Sequence, residues 1–145
     1  TLDTSGNPFT REGERFEKIK KLLEVTDLVM LDIKHIDDEQ HKILTGQTNR
    51  NILDMARYLD EIGKPMWIRH VLVPERSDKD EYLIRLDAFI QSLHNVQKVE
   101  VLPYHTLGAY KWKELGYEYP LEGIDPPTQE RIKNANQLLH TGARV

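Results

Sequence analysis

Cysteine is absent from the 145 residues of this chain. Its absence excludes disulfide bonds, thiol nucleophiles, cysteine-ligated zinc and any iron–sulfur cluster held by residues of this chain. Long apolar runs are also missing, since none approaches the roughly 20 residues that a membrane span requires. The polar start of the chain lacks the plan of a signal peptide. We therefore expect no membrane partner and a cytoplasmic location.

An excess of charge of one sign is missing too. The chain has 20 Lys and Arg residues against 24 Asp and Glu residues, and its formal net charge is −4. Acids and bases are intermixed, so no basic face is evident and we expect no nucleic-acid partner. An initiator Met is absent, and Leu2 to Thr4 are typical of a strand that ends at the turn of Gly6. Residues 1–145 are therefore expected to form a single partial domain, with the fold starting upstream.

Helical and extended apolar patterns alternate along the chain, which is typical of an α/β fold with a parallel sheet. Strands are predicted over 27–34, 65–73 and 99–103, in addition to the stub at the start. Helices are predicted over 11–24, from a cap at Asn49, after a cap at Ser77 or Asp78, and after Pro126 and Pro127. Residues 108–125 are expected to be irregular. So few strands cannot close an eight-stranded barrel, which leaves an open sheet or an arc of a larger barrel.

Polar residues follow the predicted strands near their carboxyl ends, where parallel α/β folds bind ligands. These residues are Asp3, Asp32 with Lys34, Arg69 with His70, and His105. Residues two apart in a strand share a face, so Met30, Asp32 and Lys34 are expected on one side of the sheet. A carboxylate beside cationic groups suits a zwitterionic small molecule.

Each of these residues also has a purely structural interpretation. Asp32 and Lys34 could be solvated residues at a strand end, Arg69 could pair with a nearby carboxylate, and His105 could be a loop histidine. The remaining histidines lack metal-ligand spacing and are expected to be structural or exposed; they are His35, His41, His94 and His140. Two further segments have simple interpretations: Trp112 is expected to anchor its loop on the core, and Asp37-Asp38-Glu39 to open a short helix.

Several segments together resemble one protein family. They are residues 27–34 (DLVMLDIK), 67–74 (WIRHVLVP) and 102–108 (LPYHTLG), followed by Lys111-Trp112, Leu115-Gly116, Tyr119 and the helix after Pro126-Pro127. In this order they resemble the pyruvate formate-lyase-activating enzymes, which are glycyl-radical-enzyme activating enzymes of the radical SAM superfamily. The resemblance extends over nearly the whole chain.

This resemblance implies roles for particular residues. The segment Asp32-Ile33-Lys34 and His105 would help bind S-adenosylmethionine, with Asp3 near its amino group and Arg69 as a further pocket residue. A monovalent cation beside the cofactor would be surrounded by Asp3, Thr4, Met30 and Asp32. No residue of this chain would be catalytic in its own right, because the bound cofactors carry the radical chemistry.

The resemblance also implies a fold, a reaction and partners. The chain would be the second half of a partial (β/α)6 radical SAM barrel. In the family a reduced 4Fe–4S cluster cleaves S-adenosylmethionine, and the resulting radical abstracts hydrogen from a glycine of the partner. That partner would be pyruvate formate-lyase or a related glycyl radical enzyme, and the electron would come from a flavodoxin- or ferredoxin-type reductant.

Two features depart from the family pattern. The motif of three cysteines that ligates the cluster is missing, so its ligands are expected upstream and this chain alone is expected to be inactive. Pro74-Glu75-Arg76 stands where the family usually has Pro-Gly, and the positive φ that Gly adopts readily would be costly for Glu75. Two alternatives stay open: a cysteine-free binding or regulatory module, and a non-radical βα enzyme that uses Asp32, Lys34 and His105 for acid–base catalysis.

Overall fold

The computed structural model describes residues 1–144 and contains a five-stranded sheet whose strands follow one another in chain order. Its first four strands are parallel neighbours, whereas the last pairs antiparallel with the fourth. The strands are β1 (Leu2–Thr4), β2 (Val29–Asp32), β3 (Met66–Leu72), β4 (Val96–Pro103) and β5 (Gly142–Ala143). The α/β class and the parallel sheet are confirmed. The antiparallel strand β5, which the sequence pattern did not indicate, lies at one edge and β1 at the other.

Six helices connect and cover the strands in the described residues. They are α1 (Gly13–Glu24), α2 (Asp38–Thr45), α3 (Arg50–Glu61), α4 (Asp80–Gln91), α5 (Ala109–Glu114) and α6 (Gln129–Leu138). The short helix predicted at Asp37-Asp38-Glu39 is α2, and the Asp37 carboxylate caps it by accepting from the Gln40 N–H at 3.2 Å. Helix α5 lies in the stretch that was predicted to be irregular. Within residues 1–144 no helix combines the length and apolar character needed to cross a bilayer.

Asn49 is the residue before α3, as predicted, whereas the predicted cap of α4 at Ser77 or Asp78 is wrong. Asn49 precedes α3, but its side chain donates to the carbonyls of His35 and Ile36 instead of capping the helix. Lys79 is the residue before α4, and Ser77 is buried two residues earlier. The Ser77 hydroxyl donates to the Val71 carbonyl. Both side chains therefore tie loops to strand ends, because the buried carbonyls there need donors.

The hydrophobic core lies on one face of the sheet, between the strands and the long helices. Alternate strand residues point into it, and the helices contribute apolar stripes at helical spacing. Fully buried members include Leu31, Ile68 and Val99 from the strands and Leu59, Leu86 and Leu139 from or beside the helices. The opposite face of β2 and β3 is only half-buried, and their residues alternate strictly between the two environments.

A second, smaller apolar cluster holds the segment between β4 and α6 against the end of the sheet. It consists of Val73, Tyr104 and Ile124, and the Tyr104 and Tyr119 hydroxyl groups are 2.6 Å apart. Burial, with the Tyr119 contact, raises the pKa of Tyr104 to about 12. Trp112 does not anchor this segment on the core as predicted. Its ring is 41% exposed and contacts the rings of Tyr117 and Tyr119.

The turn after β3 has the strained backbone that the sequence suggested. Glu75 adopts a φ of 63°, in the left-handed region where side chains with a Cβ are disfavoured. The turn closes through bonds from the Arg76 and Ser77 N–H groups to the Val73 carbonyl. Glu75 therefore occupies a position that glycine would adopt at lower cost.

We predict that Glu75→Gly increases the free energy of unfolding by about 0.5–1 kcal/mol, because relief of the left-handed strain exceeds the entropy cost of glycine. Urea denaturation measures this change. Glu75→Ala is the matched control, since it removes the charge but keeps the Cβ, and it should leave the stability nearly unchanged. Equal stabilisation by both substitutions would mean that loss of the Glu75 charge causes the effect, and it would contradict the backbone explanation.

Candidate functional site

Charged and aromatic side chains cover the half-buried face of the sheet, which we call the polar face. It is formed by Asp3 of β1, Met30 and Asp32 of β2, Trp67 and Arg69 of β3, and Lys98 and Glu100 of β4. Strand register places these residues in two rows: Asp3, Met30, Trp67 and Lys98 are successive partners, as are Asp32, Arg69 and Glu100. The second row is nearer the carboxyl ends of the strands. The polar face thus lies where parallel α/β folds bind ligands.

Four of the predicted site residues form a continuous chain of ion pairs. The Arg69 guanidinium donates through Nε to Asp32 Oδ1 at 2.8 Å and through its terminal nitrogen to Asp3. The other oxygen of Asp32 accepts from Lys34 Nζ at 2.8 Å. Residues from three strands therefore meet in one cluster, and Asp32 and Lys34 lie on one side of the sheet, as expected.

The ion-pair cluster is charge-balanced, and its centre is shielded from water, whereas the side chains of Asp3 and Lys34 are 57% and 32% exposed. Two carboxylates face two cations, and the side chains of Asp32 and Arg69 are each 15% exposed. Burial by itself lowers the pKa of Arg69, but the Asp3 hydrogen bond and the charge of Asp32 outweigh it and raise that pKa above its ordinary value. Arg69 therefore stays charged. In this structure it pairs with nearby carboxylates, as in the structural interpretation of the sequence.

A second ion pair lies beside this cluster and was missed by the sequence analysis. Lys98 Nζ contacts Glu100 at 2.5 Å and lies 4.4 Å from the centre of the Trp67 ring, in a cation–π geometry. The signal in the sequence is the alternation of Trp67 with Arg69 across Ile68, and of Lys98 with Glu100 across Val99. The predicted site was confined to residues near the carboxyl ends of the strands, whereas Trp67, Lys98 and Glu100 lie within β3 and β4.

The remaining predicted cofactor residues have different positions. Ile33 is fully buried in the core, so only its backbone can contact a ligand. His105 is exposed, two residues beyond the end of β4. It lies at the correct end of the sheet, but the ion pairs described above do not include it.

The predicted cation residues do not all share a face. Asp3 and Met30 are partners in the first row, and Asp32 lies in the next. Thr4 follows Asp3 in β1, and its hydroxyl accepts from the Gly6 N–H at 3.0 Å. Thr4 could therefore offer its backbone carbonyl to a cation rather than its side chain. Within residues 1–144 no cluster of three His, Asp or Glu side chains is arranged to hold a metal ion.

His70 was grouped with Arg69 as a candidate pocket residue, and the structure corrects this grouping. Successive residues of a strand point to opposite faces, so Arg69 lies on the polar face while His70 is 2% exposed on the core side. Its ring nitrogens lie near the carbonyls of Ile33 and Ser77. Burial lowers the pKa of His70, which keeps the imidazole neutral near neutral pH.

The other histidines are structural or exposed, as predicted. His35 and His41 are buried, and burial lowers the pKa of His35 to about 4. His94 and His140 are exposed and contact the carboxylates of Asp60 and Asp87.

The ion-pair cluster has the chemistry that the amino acid end of S-adenosylmethionine requires. A ligand ammonium group can replace a cation beside Asp32 or Asp3, and a ligand carboxylate can be paired by Lys34 or Arg69. Such a replacement exchanges one ion pair for another, so no buried charge is left unpaired. The same two carboxylates already hold one monovalent guanidinium, which fits the charge of a monovalent cation.

The chain is similar to known proteins over nearly its whole length. The chain is 57% identical over 97% of its length to the pyruvate formate-lyase-activating enzyme of Streptococcus mutans, of which it covers 54%. It is 52% identical over 99% of its length to the enzyme of the same name from Listeria monocytogenes, of which it covers 58%. The chain thus spans little more than half the length of these curated relatives.

A solved structure shares the fold. A domain of pyruvate-formate lyase-activating enzyme from Bacteroides vulgatus matches 86% of this chain and 68% of its own length, with a TM-score of 0.70 and 21% identity. The family model described as the Radical SAM superfamily matches residues 1–86, more than half of the 145 residues. The resemblance seen in the sequence is thereby confirmed, and this chain belongs to the radical SAM superfamily.

Proposed function

We propose that this chain is part of an activating enzyme that generates the glycyl radical of pyruvate formate-lyase or a related glycyl radical enzyme. The observation that carries the proposal is the identity of 52–57%, over 97–99% of the chain, to proteins named pyruvate formate-lyase-activating enzyme. The ion-pair cluster on the polar face adds a site of suitable chemistry. The chain would contribute the second half of a partial (β/α)6 barrel.

In this proposal the polar face binds S-adenosylmethionine. Asp32 accepts from the ligand's ammonium group with help from Asp3, and Lys34 and Arg69 pair with its carboxylate. The Ile33 backbone and His105, at the same end of the sheet, complete the binding residues. Because Asp32 and Arg69 are largely shielded from water, these charge-assisted bonds are stronger than they would be on an open surface.

A 4Fe–4S cluster must take its ligands from outside this chain, because the 145 residues include no cysteine. The cluster and S-adenosylmethionine, when bound, supply the electron transfer and the radical chemistry. The residues of this chain orient the cofactor and limit its contact with water. We infer that the chain alone is inactive, and that the whole enzyme is cytoplasmic and takes electrons from a flavodoxin- or ferredoxin-type reductant.

A monovalent cation would lie between the Asp3 and Asp32 carboxylates, near Met30 and the backbone of Thr4. Arg69 bridges these carboxylates in the ligand-free arrangement. A cation entering there would release Arg69 to pair with the cofactor carboxylate. Binding of the cation would therefore increase the affinity for the cofactor, and binding of the cofactor would increase the affinity for the cation.

We predict that a protein extended by the upstream residues of its gene, reconstituted anaerobically with iron and sulfide, cleaves S-adenosylmethionine to 5′-deoxyadenosine. The 145-residue chain should form no cluster and no product.

Lys34→Ala should lower the apparent affinity for S-adenosylmethionine on the order of 10-fold to 100-fold, because it removes a charge-assisted bond. His105→Ala should lower it by about tenfold.

Matched controls are Lys18→Ala and His94→Ala, whose side chains are 73% and 87% exposed. These variants should behave like the parent protein. An extended protein that forms no cluster and no product would exclude the radical activity and favour a cysteine-free binding module.

Arg69 is also expected to stabilise the fold. We predict that Arg69→Met lowers the free energy of unfolding by about 2–3 kcal/mol, because Asp3 and Asp32 then lose the cation that they share. The control is Arg50→Met, whose side chain is 83% exposed beside Asp38 and should contribute about 0.5 kcal/mol or less. Equal effects of the two substitutions, measured by urea denaturation, would show that the Arg69 pairs add no more than a surface contact.

A further inference from the structure

The buried side chain of His70 connects two loops at the carboxyl end of the sheet. Its Nδ1 lies 2.9 Å from the Ile33 carbonyl oxygen, and its Nε2 lies 3.2 Å from the Ser77 carbonyl oxygen. Ile33 belongs to the segment after β2, and Ser77 to the segment after β3. One imidazole thus spans the two strand ends beside the ion-pair cluster.

The ring can make only one of these two hydrogen bonds while it is neutral, because neutral imidazole carries a single N–H. We assign the proton to Nδ1, which has the shorter distance, so that the Ile33 carbonyl is the acceptor. The Ser77 carbonyl then lies near an unprotonated Nε2, where it gains a hydrogen bond only in the cationic ring. The bond to Ile33 is therefore the principal contact of His70.

The Ile33 carbonyl belongs to the peptide group that joins Ile33 to Lys34. The N–H of Ile33 is bonded to the Arg69 carbonyl at 2.9 Å, so both backbone groups of Ile33 are held by β3. A free peptide group at a strand end can rotate, and rotation here would turn the Lys34 side chain away from Asp32. The bond from His70 removes that freedom.

The second loop is fixed by Ser77, which His70 also contacts. The Ser77 hydroxyl donates to the Val71 carbonyl at 2.8 Å and accepts from the Val73 N–H at 3.0 Å. The loop is therefore rigid at the point where His70 packs against it. His70 therefore lies between the fixed Ser77 loop on one side and the Ile33–Lys34 peptide on the other.

We propose that His70 is a positioning residue that holds the Ile33–Lys34 peptide in the orientation in which Lys34 faces Asp32 and the cofactor. The cofactor part of this inference rests on the proposed function. His70 touches neither ligand nor reacting atoms, because it lies on the core side of the sheet. It acts through the backbone to which Lys34 is attached.

Three substitutions separate this role from simple packing. His70→Asn places its amide nitrogen near the position of Nδ1 and can still donate to Ile33, whereas His70→Gln places its nitrogen near Nε2 and can reach only Ser77. His70→Phe keeps the ring volume and removes both contacts. His41→Phe is the control, since His41 is also 2% exposed but its Nδ1 lies 2.7 Å from the Gln47 carbonyl.

The direct readout is the NMR chemical shift of the Ile33 carbonyl carbon and of the Lys34 amide nitrogen, which both respond to a hydrogen bond at that carbonyl. We expect both shifts to change in His70→Phe and His70→Gln and to stay near the parent values in His70→Asn and His41→Phe. In the extended, reconstituted protein, His70→Phe and His70→Gln should raise the KM for S-adenosylmethionine by about tenfold with little change in kcat.

The outcomes of the two assays are independent. Unchanged Ile33 and Lys34 shifts in His70→Phe, or equal effects of the Asn and Gln variants, would overturn the positioning role. If His70→Phe does not fold, the comparison of Asn with Gln decides the question. Altered shifts in an extended protein whose parent does not bind S-adenosylmethionine would support the backbone role of His70 while excluding the proposed function.

Discussion

The guanidinium group of Arg69 is the contact on which the polar face depends, because it neutralises carboxylates from two other strands. Asp3 and Asp32 would repel one another at the edge of a shielded surface, and Arg69 lies between them with its own side chain only 15% exposed. Lys34 balances the remaining charge through Asp32. Such a cluster is stable without a ligand. Its side chains can also exchange their ion-pair partners for the charged groups of a zwitterionic ligand. The same four side chains thus serve folding and, in our proposal, binding.

The register of the parallel strands makes this cluster possible. Asp32 and Arg69 are direct partners across β2 and β3, and the residues between the polar ones, such as Leu31 and Ile68, are fully buried in the core. A slip of one residue would exchange the two faces and bury the charges under the helices. The hydrophobic core therefore determines where the charged groups lie. His70 belongs to the core side of the same strand and connects the two faces through the backbone of Ile33.

Periodicity predicted most of the architecture because the strands and helices bury regular apolar stripes. It failed where single side chains make tertiary contacts: Asn49 and Ser77 look like helix caps in sequence, yet Asn49 donates to loop carbonyls and Ser77 donates to a carbonyl of β3. Strand β5 is too short to carry a pattern. The site was predicted at the strand ends, but Trp67, Lys98 and Glu100 were missed within the strands. His70 was grouped with its neighbour Arg69 near the end of one strand, although successive strand residues point to opposite faces.

In the proposed function, the polar face binds the amino acid end of S-adenosylmethionine. The most direct measurement is a crystal structure of the reconstituted, upstream-extended protein with this cofactor bound. We expect the cofactor ammonium group within about 3 Å of an Asp32 or Asp3 oxygen, and its carboxylate at a similar distance from Lys34 or Arg69. A cofactor bound away from these side chains, with the pairs between Asp3, Arg69, Asp32 and Lys34 intact, would contradict this expectation.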